Sequence, residues 1–574
     1  MRKRVVTFPF RSSRLKMLVC MRKFSVLCTF FALAATQLPA QTNTDLLVYG
    51  GTAGGVITAV SGAREGLKVI LIEPGRHLGG MATGGLSRTD FGKKEVIGGY
   101  AEEFYFRVGA KYDMARFAEG LAWYYEPHIG EQVFTDMLRE AKVDVIFNKR
   151  LRGSNGVVKS DGKVTSITTE DGTTYVAKVF ADCSYEGDLM AQAKVTYTWG
   201  RESSSQYGES LAGVRDRTPF HQFLVPISAR DENGKVLPEV STEPKGPTGS
   251  ADKKVQAYNF RMILTDVPAN RIPFPKPPNY DPHRYELLSR LLAANTKKLG
   301  RSPMLREVSL IARIPNGKAD FNNNGPFSTD YIGKSWDYPN GSYARRKEIW
   351  DDHINYTKGF FYFLAHDPSV NKELQAETNQ WGLSKDEYTD TEGWPHQLYI
   401  REARRMVSDY VMSQKDVQTD LTKPDPIGMG SYNSDSHNVQ RIIDPSGNVQ
   451  NEGDMQVPVT PYQISYRVMV PKRNEATNLL VPVCFSATHV AYSSGRMEPQ
   501  YMIIGQAAGV AAAMSIHANG AVQDVDTKQL TQKLIGQGAV VEYHPAPPIP
   551  PSIRSFFGEL TKGVTYSPEF FGTK

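Results

Sequence analysis

Cysteine is scarce in this sequence: there are four in 574 residues, and two of them, Cys20 and Cys28, fall within the first forty positions. Only Cys183 and Cys484 are left, so neither the clustered thiolates of an iron–sulfur centre nor a C-x-x-C redox pair is available. Both are expected to be small buried residues rather than a disulfide. A long apolar run is also missing, because Phe24 to Ala35 falls short of the ~20 residues that cross a bilayer. Nor is there a real basic surplus. The formal charge of +6 comes from eight Lys or Arg within residues 1–40, which hold no acid; the remainder has 59 basic against 61 acidic residues, a net charge of −2. No basic patch is left to suggest nucleic acid.

The first forty residues read as a secretory signal. Arg22 and Lys23 precede the apolar stretch, and Leu38-Pro39-Ala40 offers a small residue before a cut at Gln41. Met17 and Met21 are alternative starts. The segment lacks an Arg-Arg pair, which removes the twin-arginine route, and Ser25-Val26-Leu27 lacks the small residue that precedes a lipidated cysteine. The mature chain is therefore expected to be exported, to the periplasm. At 40% hydrophobic and 22% charged residues the full sequence has the composition of a soluble globular protein, long enough for two or three domains.

What is present is concentrated at Asp45 to Glu73. An apolar run, Leu46 to Tyr49, stops at four glycines, Gly50, Gly51, Gly54 and Gly55; an Ala-rich helical pattern and a second apolar run, Lys68 to Ile72, follow, closed by Glu73. This is a strand–turn–helix–strand unit of about thirty residues. Glycines let the backbone approach a pyrophosphate, and the helix N-terminus offers it N–H groups and partial positive charge. Glu73, 18 residues after Gly55, is placed to accept hydrogen bonds from ribose hydroxyls. With Gly50 and Gly55 as first and third glycines of G-x-G-x-x-G, Thr52 stands at the second. Its hydroxyl either crowds the diphosphate or bonds to it. The unit is expected to bind a dinucleotide.

Further on, His128 to Ala141 has helical periodicity and Val143 to Phe147 reads as a strand. Turn signals at Asn155-Gly156, Asp161-Gly162 and Asp171-Gly172 enclose alternating segments, Val164 to Thr169 and Thr173 to Val179, a small meander. Lys178 to Ala181 is expected as a separate strand running into Asp182-Cys183-Ser184-Tyr185-Glu186-Gly187-Asp188. Residues 201–460 are richer in Pro, Asn and aromatics. Asp320 to Gly325 begins like a calcium loop, but its twelfth position is Tyr331, not Glu, so a turn held by Asn side chains is expected instead. Trp336, Tyr338, Trp381 and Trp394 are read as core, with sugar stacking as the alternative. From Asn478, an apolar strand leads to a polar loop with His489, Tyr492, Ser493, Ser494, Arg496 and Glu498, then to a small-residue helix through Gly505, Gln506 and Ala507.

These blocks, YGGTAGG, EPGRHLGGMATGGL, YEGDLMA, NGKADFNN, QLYIREARRM, GMGSYNSDSHNVQ and SSGRMEPQYMIIGQAAG, taken in order, resemble the FAD-dependent oxidoreductases of the glutathione-reductase-like Rossmann superfamily. More narrowly, they resemble an exported bacterial subgroup, some of whose members carry the label xanthan lyase. The resemblance implies an α/β fold: a Rossmann-like FAD-binding domain with an inserted β-meander and a large α+β substrate or cap region. The expected parts are a signal at 1–40, FAD-binding halves at 41–200 and 461–520, the substrate region at 201–460, and a C-terminal helix with a Pro-rich tail at 521–574. It further implies one FAD per chain, held by Gly50, Gly51, Thr52, Gly54, Gly55 and Glu73 at the AMP half, with Gly79 and Gly80 along the diphosphate. The Arg496–Gly505–Gln506–Ala507 helix would point its N-terminus at the flavin ring.

Reduced flavin carries negative charge near its N1/O2 edge, which a helix N-terminus and Arg496 can stabilise. Oxidation of an alcohol or amine also needs a base matched to neutral pH. His437 and His489 are the candidates, with Tyr492 and Arg401 orienting a small substrate, sugar-derived in one reading. No metal is required, and the electron acceptor is unassigned. His77 is the histidine nearest the glycines should FAD be covalently held. A polysaccharide lyase, or a redox-inactive binding protein on the same fold, are the alternatives.

Overall fold

The structure, a computed structural model, describes residues 41–112 and 120–545. Residues 1–40, where a signal is expected, and the proline-rich tail from residue 546 lie outside the described residues. Gly50 ends the first strand, β1 (Gln41–Tyr49), and α1 (Ala53–Arg64) starts three residues later, followed by β2 (Val69–Ile72), α2 (Gly99–Lys111), α3 (Pro127–Glu140) and β3 (Asp144–Ile146). β4 (Val157–Ser160), β5 (Lys163–Thr168) and β6 (Thr174–Asp182) complete the N-terminal half. The strand order is β3-β2-β1-β6, all parallel, with Leu46 opposite Val69 and Tyr49 level with both Ile72 and Asp182. A short strand far along the chain, Leu479–Leu480, adds to β6 in parallel at Phe180 and Ala181.

β6 is where expectation and structure part. Thr173–Val179 and Lys178–Ala181 are one continuous strand. Its first half alternates between partly and fully buried residues and pairs antiparallel with β5, whereas Val179 to Asp182 are all buried between helices. The apparent break is a change of environment, from a half-covered meander to a parallel core, rather than a turn.

α1 is buried nearly throughout and is crossed by the long helix Glu498–His517. Glycines set the crossing distance. A Cβ on Gly54 would lie 2.9 Å from the Tyr501 carbonyl oxygen, one on Gly505 would overlap the Gly54 carbonyl, and one on Gly509 would lie 2.6 Å from Gly62 N. Ser61 Oγ also donates to the Gln506 carbonyl at 2.8 Å. Small residues in that helix therefore admit another backbone.

The middle of the chain builds a five-stranded antiparallel sheet, in the order Ser309–Ile314, Lys318–Asn323, Met262–Thr265, Gly382–Ser384, Arg271–Ile272. Helix Tyr343–His366 packs on it through Phe361, which meets Phe274 and Phe321. The expected Asn-rich turn at Asp320 is a strand of this sheet. Asp320 is buried because it takes Arg261 Nε at 2.8 Å and the amides of Ser87 and Arg88 at 3.1 and 3.0 Å, so a polar sequence is satisfied inside a sheet. Lys318 is likewise buried, its Nζ 2.6 Å from Glu126 and 2.7 Å from Glu387. Glu126, His128 and Glu387 are spaced for a metal ion, but this ammonium already supplies the positive charge. Tyr338, Trp381 and Trp394 are buried, and Trp336 is half-buried, donating to the Val439 carbonyl.

Pro426 to Ser465 is one long irregular hairpin of three nested ladders: Pro426–Gly430 with Tyr462–Ser465, Ser434–Ser436 with Met455–Val457, and Gln440–Ile443 with Val449–Glu452. The domain boundary expected at 460 falls inside it. His437 sits in the gap between the second and third ladders.

Candidate active site

At the glycine turn, Gly50 adopts φ +100°, and a Cβ there would strike the Cys183–Ser184 backbone. Thr52 neither blocks the turn nor points outward. Its hydroxyl caps α1, accepting from Gly55 N at 3.1 Å and donating to the Cys183 carbonyl at 2.8 Å. Gly51 N donates to Glu73 Oε2 at 2.7 Å and Gly75 N to Oε1 at 2.5 Å, which fixes the carboxylate beside the turn. A groove of about 350 Å³, lined by Pro74, Asn148, Lys149, Arg150 and Glu170, opens next to it. Thr52 bridges Gly79, so the second glycine pair lies alongside the first. Gly79 and Gly80 both have positive φ (+96° and +54°). His77, stacked on His396 with ring centroids 4.0 Å apart, has Glu131 within 3.2 Å of Nδ1 and Asp390 within 3.1 Å of Nε2. Both ring nitrogens are engaged.

The helix that follows Arg496 begins at Glu498, with Pro499 in its first turn. Gly505, Gln506 and Ala507 are therefore two turns inside the helix rather than at its end. Gly505 faces α1, and Gln506 accepts from Tyr100 N and donates to Gln537. The residues at the helix N-terminus are Glu498, Pro499 and Gln500. The expected polar loop upstream is itself a helix, His489–Gly495, because the Thr488 hydroxyl accepts from Ala491 N as its N-cap.

Five separate segments, around Arg496, Tyr399–Arg401, Asp330, Asp435–His437 and His221, converge at this helix end. Arg496, 3% exposed, donates from Nη1 to Tyr399 Oη at 3.2 Å and from Nη2 to the Asp435 carbonyl at 2.8 Å. The Arg401 guanidinium lies 4.6 Å from the Tyr399 ring centroid and 3.0 Å from Asp330 Oδ1. His437 Nδ1 is 2.7 Å from Asp330 Oδ2. His221 lies nearly parallel to His437, with centroids 6.5 Å apart. Burial alone would raise Asp330, but the Arg401 guanidinium and His437 outweigh it and hold the carboxyl at about 2. Asp330 is therefore ionised at neutral pH and is placed to accept the Nδ1 proton of His437, while Asp435 Oδ2 stands 4.0 Å from Nε2.

The structure joins Arg401, Arg496 and His437, three residues proposed for separate tasks, in one buried cluster. It does not bring His489 or Tyr492 there. His489 Nδ1 is 2.7 Å from Glu402 Oε2, and burial, then Arg405, lower its pKa to about 3, too low for a base at neutral pH. Tyr492 donates to the Val483 carbonyl and shares a 2.8 Å bond with Tyr501. Sequence reading missed Asp330, and it named Glu498 in the polar stretch and quoted Tyr399 beside Arg401 without giving either a role. An acid in the first turn of so apolar a helix was the one available signal for Glu498; Asp330 and Tyr399 carry none.

The donor set fits FAD: a capped glycine turn at a buried helix N-terminus, an acid at the second strand, and a second glycine pair beside the first. Glu498 Oε2, Gln500 Oε1 and Arg496 Nε are buried without a partner at the next helix N-terminus. The family comparison agrees. The family model described as FAD dependent oxidoreductase matches residues 45–534. A geranylgeranyl bacteriochlorophyll reductase-like protein from Thermoplasma acidophilum is similar at 10% identity over 87% of this chain and 83% of its own, with TM-score 0.32. L-proline dehydrogenase from P. horikoshii (13% identity, 29% of this chain, TM-score 0.23) and L-amino acid deaminase from Proteus vulgaris (12% identity, 28%, TM-score 0.22) are also similar. The chain spans only 59% and 53% of their respective lengths. No protein of curated function matches the sequence. The match over most of the length, on a fold with these half-sites, shows that the chain belongs to the FAD-dependent oxidoreductase family.

Proposed function

We propose that this flavoenzyme oxidises a small polar organic molecule, an alcohol or amine in a sugar-derived scaffold, outside the cytoplasm. The observation that carries the reading is the 2.7 Å pairing of His437 Nδ1 with Asp330 in a buried site roofed by Arg401 and Arg496. FAD, which the glycine turns at Gly50–Gly55 and Gly79–Gly80 would hold, would supply the acceptor for the hydride equivalent of the substrate carbon. His437 takes the accompanying O–H or N–H proton at Nε2, and the ionised Asp330 fixes its tautomer and stabilises the imidazolium. Arg401 and Arg496, stacked about Tyr399, orient a substrate oxygen. Burial of Arg401, Tyr399 and Asp330 excludes water from the proton's path.

Export is supported by the signal-like first forty residues, and among the described residues no helix is long and apolar enough to cross a membrane. The test is an anaerobic screen of sugars, sugar acids, polyols and amino sugars against the FAD-loaded protein. Bleaching of the flavin bands by members of one such class supports the reading. If none bleaches them while simple amines or 2-hydroxy acids do, the sugar-derived substrate is wrong.

A further inference from the structure

Tyr185 Oη donates to Glu498 Oε1 at 2.6 Å. Tyr185 is fixed before it reaches Glu498: its hydroxyl accepts Met81 N–H at 2.8 Å, and Gly80 lies so close that a side chain there would run into the phenol. Glu498 is the first residue of a twenty-residue helix and is 3% exposed, yet its second oxygen, Oε2, has no partner. Gln500, fully buried one turn-position on, leaves Oε1 without a partner too, as Arg496 does Nε. Polar atoms this deep call for a partner, be it water, an ion or a ligand, and these three are gathered at one helix N-terminus.

The charged and titratable groups around Glu498 are the phenols of Tyr105, Tyr125, Tyr185 and Tyr501 and the Arg496 guanidinium. Burial pushes all four phenols above their ordinary value, so none of them ionises near neutrality. Burial also pushes the Glu498 carboxyl up to about 8, with the Tyr185 bond and Arg496 offsetting only part. Glu498 is thus a neutral acid at pH 7. Because Oε1 accepts from Tyr185, its proton resides on Oε2, making that atom a donor.

We propose that Glu498 Oε2–H donates a hydrogen bond to an acceptor atom of the bound flavin ring, and that Tyr185 is the residue that positions it. The carboxyl lies between the Gly79–Gly80 turn and the Arg496–Tyr399 cluster. That is the interval the ring would occupy with its diphosphate on the glycines and a substrate at His437, so this placement rests on the function proposed above. A carboxyl that donates when protonated repels an electron-rich ring edge when ionised, and the flavin reports the change directly.

The experiment follows the visible spectrum and two-electron midpoint potential of the FAD-loaded protein from about pH 6 to about pH 10 without substrate. The wild type is expected to show a transition with apparent pKa near 8. Glu498→Gln, which keeps the shape and a donor, is expected to retain FAD to within about three-fold in Kd and to lose the transition. Tyr185→Phe is expected to shift the transition's midpoint; an unchanged midpoint removes Tyr185 from the assignment. The same transition in the wild type and Glu498→Gln, or none in the wild type, overturns the proposal. Substrate is not used, so either outcome leaves the role of His437 to be judged on its own.

Discussion

Gly505 crosses Gly54 so closely that a Cβ on Gly505 would overlap the Gly54 carbonyl oxygen. The two glycines belong to the two halves of the cofactor-binding region, more than four hundred residues apart, and their contact holds α1 against the helix that begins at Glu498. Gly505→Ala is expected to destabilise the protein by about 1–3 kcal/mol through overpacking. It should also lower FAD occupancy, since α1 carries the glycine turn. Thermal melting with and without FAD checks both. An alanine variant with unchanged melting and full FAD would mean the crossing relaxes at no cost.

Asp330 gives a pH signature of its own. Its carboxyl drops from 3.8 to about 2 on folding, so its contribution is present above about pH 4 and is lost as pH falls through about 2. For so buried a group this is on the order of 2 kcal/mol. Asp330→Asn should flatten that part of the acid limb of a stability–pH curve. It should also slow flavin reduction, because an amide can donate to His437 Nδ1 and displace the proton to Nε2.

Glu498 works in the opposite sense. Its carboxyl rises from 4.5 to about 8 on folding. Below about pH 4.5 the folded and unfolded chains are both protonated. Between there and pH 8 the unfolded chain ionises first, so stability conferred by the neutral acid is progressively lost. Glu498→Gln should therefore melt higher than the wild type at pH 8 and nearly alike at pH 4.5, in protein freed of FAD.

His489 and His437 separate cleanly by experiment. His489→Gln is expected to leave the rate of flavin reduction within about three-fold while lowering the melting temperature, since the ring is packed against Glu402 and serves the fold. A large loss of rate in a well-folded His489→Gln protein would return that histidine to the site.

The strand–turn–helix at Asp45–Glu73 was legible because it is local: the two strands, the glycines, the helix and Glu73 all lie within thirty positions of one another. The meander was legible for the same reason. The cluster was readable only in pieces. Arg401, Arg496 and His437 drew attention as polar residues in unusual surroundings, and Tyr399 stands two residues from Arg401, but Asp330 sits in a plain segment that only the fold brings alongside. His489 and Tyr492 carry the same surface signals as His437, and only burial against Glu402 and Tyr501 distinguishes them. The Asp320 strand was misread because its acid is matched by Arg261, a partner 59 residues upstream that no local pattern reveals.

The most direct measurement is the anaerobic rate at which a substrate that bleaches the wild type reduces the FAD of His437→Gln. If His437 is the base, reduction slows by about 10²-fold or more with FAD equally bound. Reduction of the variant at the wild-type rate would contradict it.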